Sequence, residues 1–281
     1  MPLVETRKRG DTTANHGPPA RAGGPSRYTS RLQKGGALLD DMRLLVRSVC
    51  DADATTVDSL LANQRLAKRS RSRVRDTLKR SFAPRFIDGD PPQAWRIARA
   101  VEDLGLPVEI VRPVYYWITA RGEPLLYDFV QCELFSQMVR GQQTLRTIEA
   151  VAWIRGRLAA EKKRWSEVVT VRVARGLLAA LRDFGVLEGA VRKQIAPVHL
   201  PLGAFAYLAF ALRQLGADGE RLVGHRDWRL FLLSVPAVEH LFLEADRVGL
   251  LGYQAAGRIV RIDFPASTWE GMADVVAARA N

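Results

Sequence analysis

Between Arg65 and Arg85 the chain places seven arginines and two lysines within twenty-one residues, with Asp76 as the one acid among them. A planar guanidinium pairs bidentately with phosphate oxygens or with a guanine edge, so arginine at this density points to nucleic-acid chemistry. The whole chain has a net charge of +12, and this stretch alone contributes +8. An excess so confined is a patch.

Helical spacing sorts the patch into two sides. Val74, Leu78 and Phe82 recur every four residues and form an apolar stripe. Arg73, Lys79 and Arg80 fall on or near the opposite side, with Arg75 beside them and with Ser72 and Asp76. Arg69, Ser70 and Arg71 stand at the expected helix start, where backbone N–H groups and the helix dipole favour phosphate. Arg65 and Lys68 lie in the preceding turn. If about six of these residues meet phosphates, log affinity falls with log salt at a slope near −5. Asp76 is the misfit; its carboxylate is able to orient an arginine or accept from a base. A weaker cluster runs through Arg155, Arg157, Lys162, Lys163, Arg164, Arg172 and Arg175, and Arg192 and Lys193 fall near the tip of an expected hairpin.

Catalytic constellations are weaker. His225-Arg-Asp227 has the form of a kinase catalytic loop, but Leu232 stands where the metal-binding asparagine belongs and no glycine-rich loop precedes it. Glu161-Lys-Lys163 has the Glu-x-Lys form of many nucleases without the preceding strand aspartate. His240 and Glu244 share a helical face and lack a third ligand in the pattern. Cys50 and Cys132 lie in apolar-periodic segments, away from any Cys-x-x-Cys, which argues against disulfides or structural zinc and for a reducing compartment. The expectation is a non-enzymatic protein with no cofactor, no metal and no catalytic residue.

The elements that must carry these residues read as mainly α. Apolar content of 47% with 26% charged residues is that of a globular protein able to bury a core without staples. The longest apolar run, Val198–Leu212, is interrupted by His199 and Pro201 and is too short for a membrane span, which needs about 20 residues. Residues 1–27, rich in Pro, Gly and basic side chains, read as a disordered basic tail. Residues 28–140 read as a helical domain with a helix over Gly35–Cys50, a short one through Val57–Leu61 and a third from Ser70 through Phe82 ended by Pro84: the helix-turn-helix outline, whose last helix enters the major groove. Further helices are expected at Gln93–Leu104, Val111–Ala120, Pro124–Val139, Leu145–Ala160 and Ser166–Phe184. The aromatics Tyr115, Tyr116, Trp117, Tyr127, Phe129 and Phe135 read as core.

A repeat closes the chain. Asp183-Phe-Gly-Val-Leu-Glu-Gly leads to Ile195-Ala-Pro-Val-His-Leu-Pro201, and Asp246-Arg-Val-Gly-Leu-Leu-Gly leads to Ile259-Val-Arg-Ile-Asp-Phe-Pro265. Gly185 then matches Gly249, Leu187 matches Leu251, Ile195 matches Ile259 and Pro201 matches Pro265. A helix, a glycine stop and alternating strands are the ending of a winged helix, so residues 141–201 are expected to form a winged-helix-like unit with a short β-hairpin, and residues 202–281 a second such unit or a C-terminal extension.

Four segments together resemble the BrxA family, the small component of BREX bacteriophage-exclusion systems. They are Tyr28-Thr-Ser with Gly35–Val49, the stretch Asn63–Arg80, the Pro124–Val139 helix, and Trp165-Ser-Glu with Arg175–Leu187 and Ile195-Ala-Pro-Val. The likeness spans about Tyr28–Pro201. It implies a compact, mostly helical, non-enzymatic protein that binds double-stranded DNA through helix-turn-helix or winged-helix elements, beside a methyltransferase, an ATPase and other defence subunits. The inner-membrane label sometimes given to the family finds no long apolar segment here, and a cytoplasmic location is expected. The residues themselves leave two other readings open: a scaffold whose basic helix docks an acidic partner, and a helix-turn-helix transcriptional regulator.

Overall fold

The computed structural model describes residues 27–49, 71–190, 192–257 and 259–279, with the side chains of 71–73 excepted. The expected basic tail up to residue 26, the short helix at 57–61 and the turn at 63–69 lie outside the described residues. The middle member of the helix-turn-helix outline is among them.

The described chain is mainly helical with two small antiparallel sheets. A 3₁₀ turn at Arg31–Gln33 leads to α1 (Leu39–Ser48), which starts later than the periodicity indicates because Leu38 adopts the left-handed conformation, φ 49°. Helix α2 begins as Arg71–Thr77 and continues as π-helical turns over Leu78–Ile87. Pro84 therefore does not end it. Widened turns tolerate a residue that has no N–H, because the hydrogen-bond ladder has already stepped off its regular spacing. The expected stripe is present: Leu78 and Phe82 are fully buried and Val74 packs against the core.

Next come α3 (Trp95–Asp103), α4 (Val108–Gly122) and α5, which runs through Pro124–Asp128, π-helical turns at Phe129–Leu134 and Phe135–Val139. The aromatic residues of this region are core: Tyr115, Tyr116, Trp117 and Phe129 are at most 1% exposed. Tyr127 and Phe135 are half-buried against them.

The following unit runs β1 (Thr144–Leu145), α6 (Thr147–Ala160), α7 (Glu167–Asp183), β2 (Leu187–Glu188), β3 (Lys193–Ile195), with β3 between β1 and β2 in the sheet. The Ser166 side chain caps α7 by accepting from the Val169 N–H, and Gly185, at φ 81°, turns the chain out of it. The last unit comprises α8 (Leu202–Gln214), α9 (Gly219–Val223), 3₁₀ turns at Arg226–Phe231, α10 (Val235–Arg247), the hairpin β4 (Gly252–Ala256) and β5 (Ile259–Asp263), and α11 (Trp269–Arg279).

The repeat holds at the helix ends and fails further out. Gly185 and Gly249 both have positive φ, and Leu187 and Leu251 are both buried. Ile195, however, faces Leu187 at the hairpin base and is buried, whereas Ile259 pairs with Ala256 at the hairpin tip and is 77% exposed. The second hairpin turns more tightly, so its ladder extends beyond the point where the first opens into a loop.

Candidate nucleic-acid interface

Helix α2 presents Arg75, Lys79 and Arg80 to solvent, away from Leu78 and Phe82. Asp76 sits among them. It accepts from Arg80 Nε at 3.0 Å, an i,i+4 pair, and lies 3.7 Å from Lys34 Nζ, so its carboxylate orients the Arg80 guanidinium. Arg71 and Arg73 belong to the backbone of this helix, but their side chains, and all of Arg65, Lys68 and Arg69, lie outside the described residues.

Arg85 ends in a different place from its neighbours. Although it contributes to the basic stretch, it is fully buried. Its Nε donates to Glu123 Oε1 at 3.0 Å, and its Nη1 and Nη2 donate to the carbonyls of Gly36 and Gly35 at 3.0 and 2.7 Å. It fastens the segment before α1 to the start of α5, and no ligand reaches it.

Helix α7 carries a second basic stripe. Arg172, Arg175 and Arg182 share its outward face with Val168 and Ala179, while Val173, Leu177 and Leu181 face the core. Arg182 pairs with Asp183 at 2.7 Å. Among the described residues neither Arg172 nor Arg175 is in an ion pair. The rest of the weaker cluster divides. Arg155 pairs with Glu167, Arg157 lies over the Trp153 ring, and Lys163 donates to the Tyr28 carbonyl, whereas Lys162 and Arg164 are exposed. At the β2–β3 hairpin Arg192 is exposed, but Lys193 is not: its ammonium donates to the Gly189 and Ala190 carbonyls at 2.8 and 2.6 Å. Those bonds close the loop and withdraw Lys193 from the solvent-facing set.

Residues 32–36 lie against both basic helices. On one side Gly35 and Gly36 accept from Arg85 of α2, and Lys34 stands by Asp76. On the other side Gly176 of α7 is so close to the Leu32 carbonyl that a Cβ there would collide with it, and Gly36 lies against Ala180. The exposed cations of α2 and those of α7 thus flank one short segment. Sequence periodicity gives each face alone and cannot give their adjacency, which depends on contacts across more than a hundred residues.

His225-Arg-Asp227 has a structural part. Asp227 is buried and accepts from Trp117 Nε1 and Arg121 Nη1, each at 2.7 Å, and from Tyr127 OH at 2.5 Å. Burial alone would raise this carboxyl, but Arg121, His225 and the hydrogen bonds from Tyr127 and Arg121 hold it below the usual carboxylate range. His225 caps the 3₁₀ turns by accepting from the Asp227 N–H, and burial lowers its pKa. The adjoining cleft, about 320 Å³, is lined by Arg27, Arg121 and Arg226 and by Asp90, Asp128 and Asp227. Its arginines are matched by those acids or, for Arg226, by the Tyr127 ring. His240 Nε2 contacts Glu244 at 3.2 Å, and among the described residues no cluster of three His, Cys, Asp or Glu could hold a metal ion.

Compared with protein families, residues 26–211 match the family model BrxA. The chain belongs to the BrxA family. Membership makes it a component of a BREX phage-defence system. The BrxA match takes in both basic faces and ends inside α8, leaving α9, α10, the second hairpin and α11 beyond it. No curated protein and no solved structure matches the chain. Among the described residues no helix is long and apolar enough to cross a membrane.

Proposed function

We propose that this BrxA-family protein binds double-stranded DNA as a non-enzymatic, cytoplasmic accessory subunit of its BREX system, working beside the methyltransferase and ATPase subunits. The observation that carries the reading is the pair of solvent-facing cationic helices, α2 with Arg75, Lys79 and Arg80 and α7 with Arg172 and Arg175, set on either side of residues 32–36. Two such faces on one body offer a duplex several phosphate contacts at once, and phosphate contacts supply most of the sequence-independent affinity.

The unit around α7 reads as a winged helix. Its support is the element order strand, helix, helix, hairpin, with the first strand pairing with the last. In that arrangement the second helix of the pair enters the major groove and the hairpin tip reaches the backbone. In this reading α7 and Arg192 would take those places. On its sequence pattern the segment 35–82 reads as a helix-turn-helix whose last helix is α2, and Arg65, Lys68, Arg69, Arg71 and Arg73 are proposed as contacts from that pattern alone.

A gel-shift titration with random-sequence duplex DNA tests this. Parent protein is expected to bind at about 50 mM salt and to lose about 10³-fold or more in affinity by about 200 mM. Replacing Arg172 and Arg175 by Ala, or Arg75, Lys79 and Arg80 by Ala, is expected to weaken binding and flatten the salt dependence. Equal binding by parent and both variants would sink the assignment.

A further inference from the structure

The two hairpin-bearing units present opposite charge at matching positions. With Gly185 aligned to Gly249, residues 171–183 of α7 correspond to the residues 64 positions later, which make up α10. Arg172 corresponds to Pro236, Arg175 to Glu239, Ala179 to Leu243, Arg182 to Asp246 and Asp183 to Arg247. Apart from the half-buried Ala179 all of these are exposed, and Leu243 is 45% exposed. Every charged position on the outward face of α7 that has a charged counterpart on α10 meets the opposite sign.

A helix face with Glu239, Asp246 and an exposed leucine disfavours phosphate, so α10 does not repeat the cationic face of α7 even though it too leads through a glycine into a β-hairpin. We propose that the outward face of α10 docks on the outward face of α7 in a second copy of this chain. Laid side by side in the same direction, with Ala179 against Leu243, the stripes set Arg175 opposite Glu239, Arg182 opposite Asp246 and Asp183 opposite Arg247. The small alanine receives the exposed leucine. Because Arg175 is in no ion pair within the described residues, the contact supplies a carboxylate, that of Glu239, to a cation that has none. The contact joins different faces of the two copies, so it repeats from copy to copy. It goes beyond the DNA reading and does not rest on it: a second copy and a duplex would compete for the outward face of α7, so the contact belongs to the DNA-free chain.

Sedimentation velocity of the full chain without DNA, over roughly 1–100 µM at low salt, tests the contact. The sedimentation coefficient is expected to rise with concentration and the association to weaken with salt, as for a charge-steered interface. R175E and E239R, both at exposed positions, are each expected to raise the dissociation constant by about tenfold or more. The double variant, and an equimolar mixture of the two single variants, are both expected to regain the association, because each restores opposite charges across the contact. A chain that stays monomeric throughout, an association indifferent to both single changes, or a loss that neither combination repairs would overturn the proposal. Failure here leaves the gel-shift result standing, since that measurement needs no second copy.

Discussion

Arg85 and Glu123 form an ion pair sealed in the core, Nε to Oε1 at 3.0 Å, with neither side chain more than 2% exposed. Removing one partner of such a pair leaves an uncompensated buried charge. Glu123→Gln is therefore expected to lower unfolding free energy by about 3–5 kcal/mol, read from urea denaturation midpoints. The double replacement Arg85→Met with Glu123→Leu is expected to recover only part of the loss. The guanidinium also satisfies the Gly35 and Gly36 carbonyls, which an apolar pair leaves without a donor. A single replacement with the parent midpoint would refute this account of the core.

Gly176→Ala tests the packing of the N-terminal segment on α7. In a helix interior this change ordinarily stabilises by about 1 kcal/mol. Here the added Cβ meets the Leu32 carbonyl, so the sign is expected to reverse, with a loss of roughly 1–3 kcal/mol. Thermal unfolding decides it: a raised melting temperature would mean that residues 32–36 are not held against the helix.

Asp76 faces the duplex in the proposed interface while holding Arg80. Asp76→Asn removes a negative charge from a cationic face and keeps a side-chain acceptor. DNA affinity is expected to rise a few-fold at about 50 mM salt, with the gain shrinking as salt increases. Weaker binding at every salt would instead assign the carboxylate a direct contact with a base.

Three of the more buried groups among the described residues contribute to the acid limb of stability. Burial lowers the pKa of His225, so its neutral form favours folding, and that contribution is complete above the unfolded value of about 6.5 and declines as pH falls through the folded one. Glu102 is opposed by burial, yet Arg43 and Arg47, at 2.6 and 2.5 Å, hold it below the usual range, as Arg121 and the other partners of Asp227 do for that carboxylate. Their contributions are complete above the unfolded values, about 3.9 for Asp227 and about 4.3 for Glu102, and are lost as pH falls through the lowered values. Melting temperature is expected to fall in two stages on acidification. His225→Asn should flatten the first and Glu102→Gln should diminish the second; a parent-like profile in both variants would contradict the assignment.

Periodicity made the amphipathic helices legible. Val74, Leu78 and Phe82 predict the buried side of α2, and the expected helix Ser166–Phe184 agrees with α7 within one residue at each end. Charge side by side in sequence was a poorer guide. Arg80 is exposed and Arg85 buried, and the difference is made by Glu123, thirty-eight residues away, which no local pattern reveals. Lys193 reads as a hairpin-tip cation until its ammonium is seen to close the loop. Pro84 reads as a helix stop because the rule assumes regular turns, and α2 has already widened when it reaches that residue. Ile259 matches Ile195 in register but not in environment, since the two hairpins differ in length.

If α2 and α7 are the DNA contacts proposed above, the placement of residues 32–36 between them governs how the two faces act together. Each cationic face by itself would release a duplex readily. In the proposed DNA complex, a second face held at a fixed separation by a packed spacer would meet the duplex at an effective concentration set by the first, and avidity would exceed either single affinity by a factor of about 10²–10⁴. Rigidity of that spacer is thus a binding parameter: loosening it would leave both patches intact and still dissolve their cooperation.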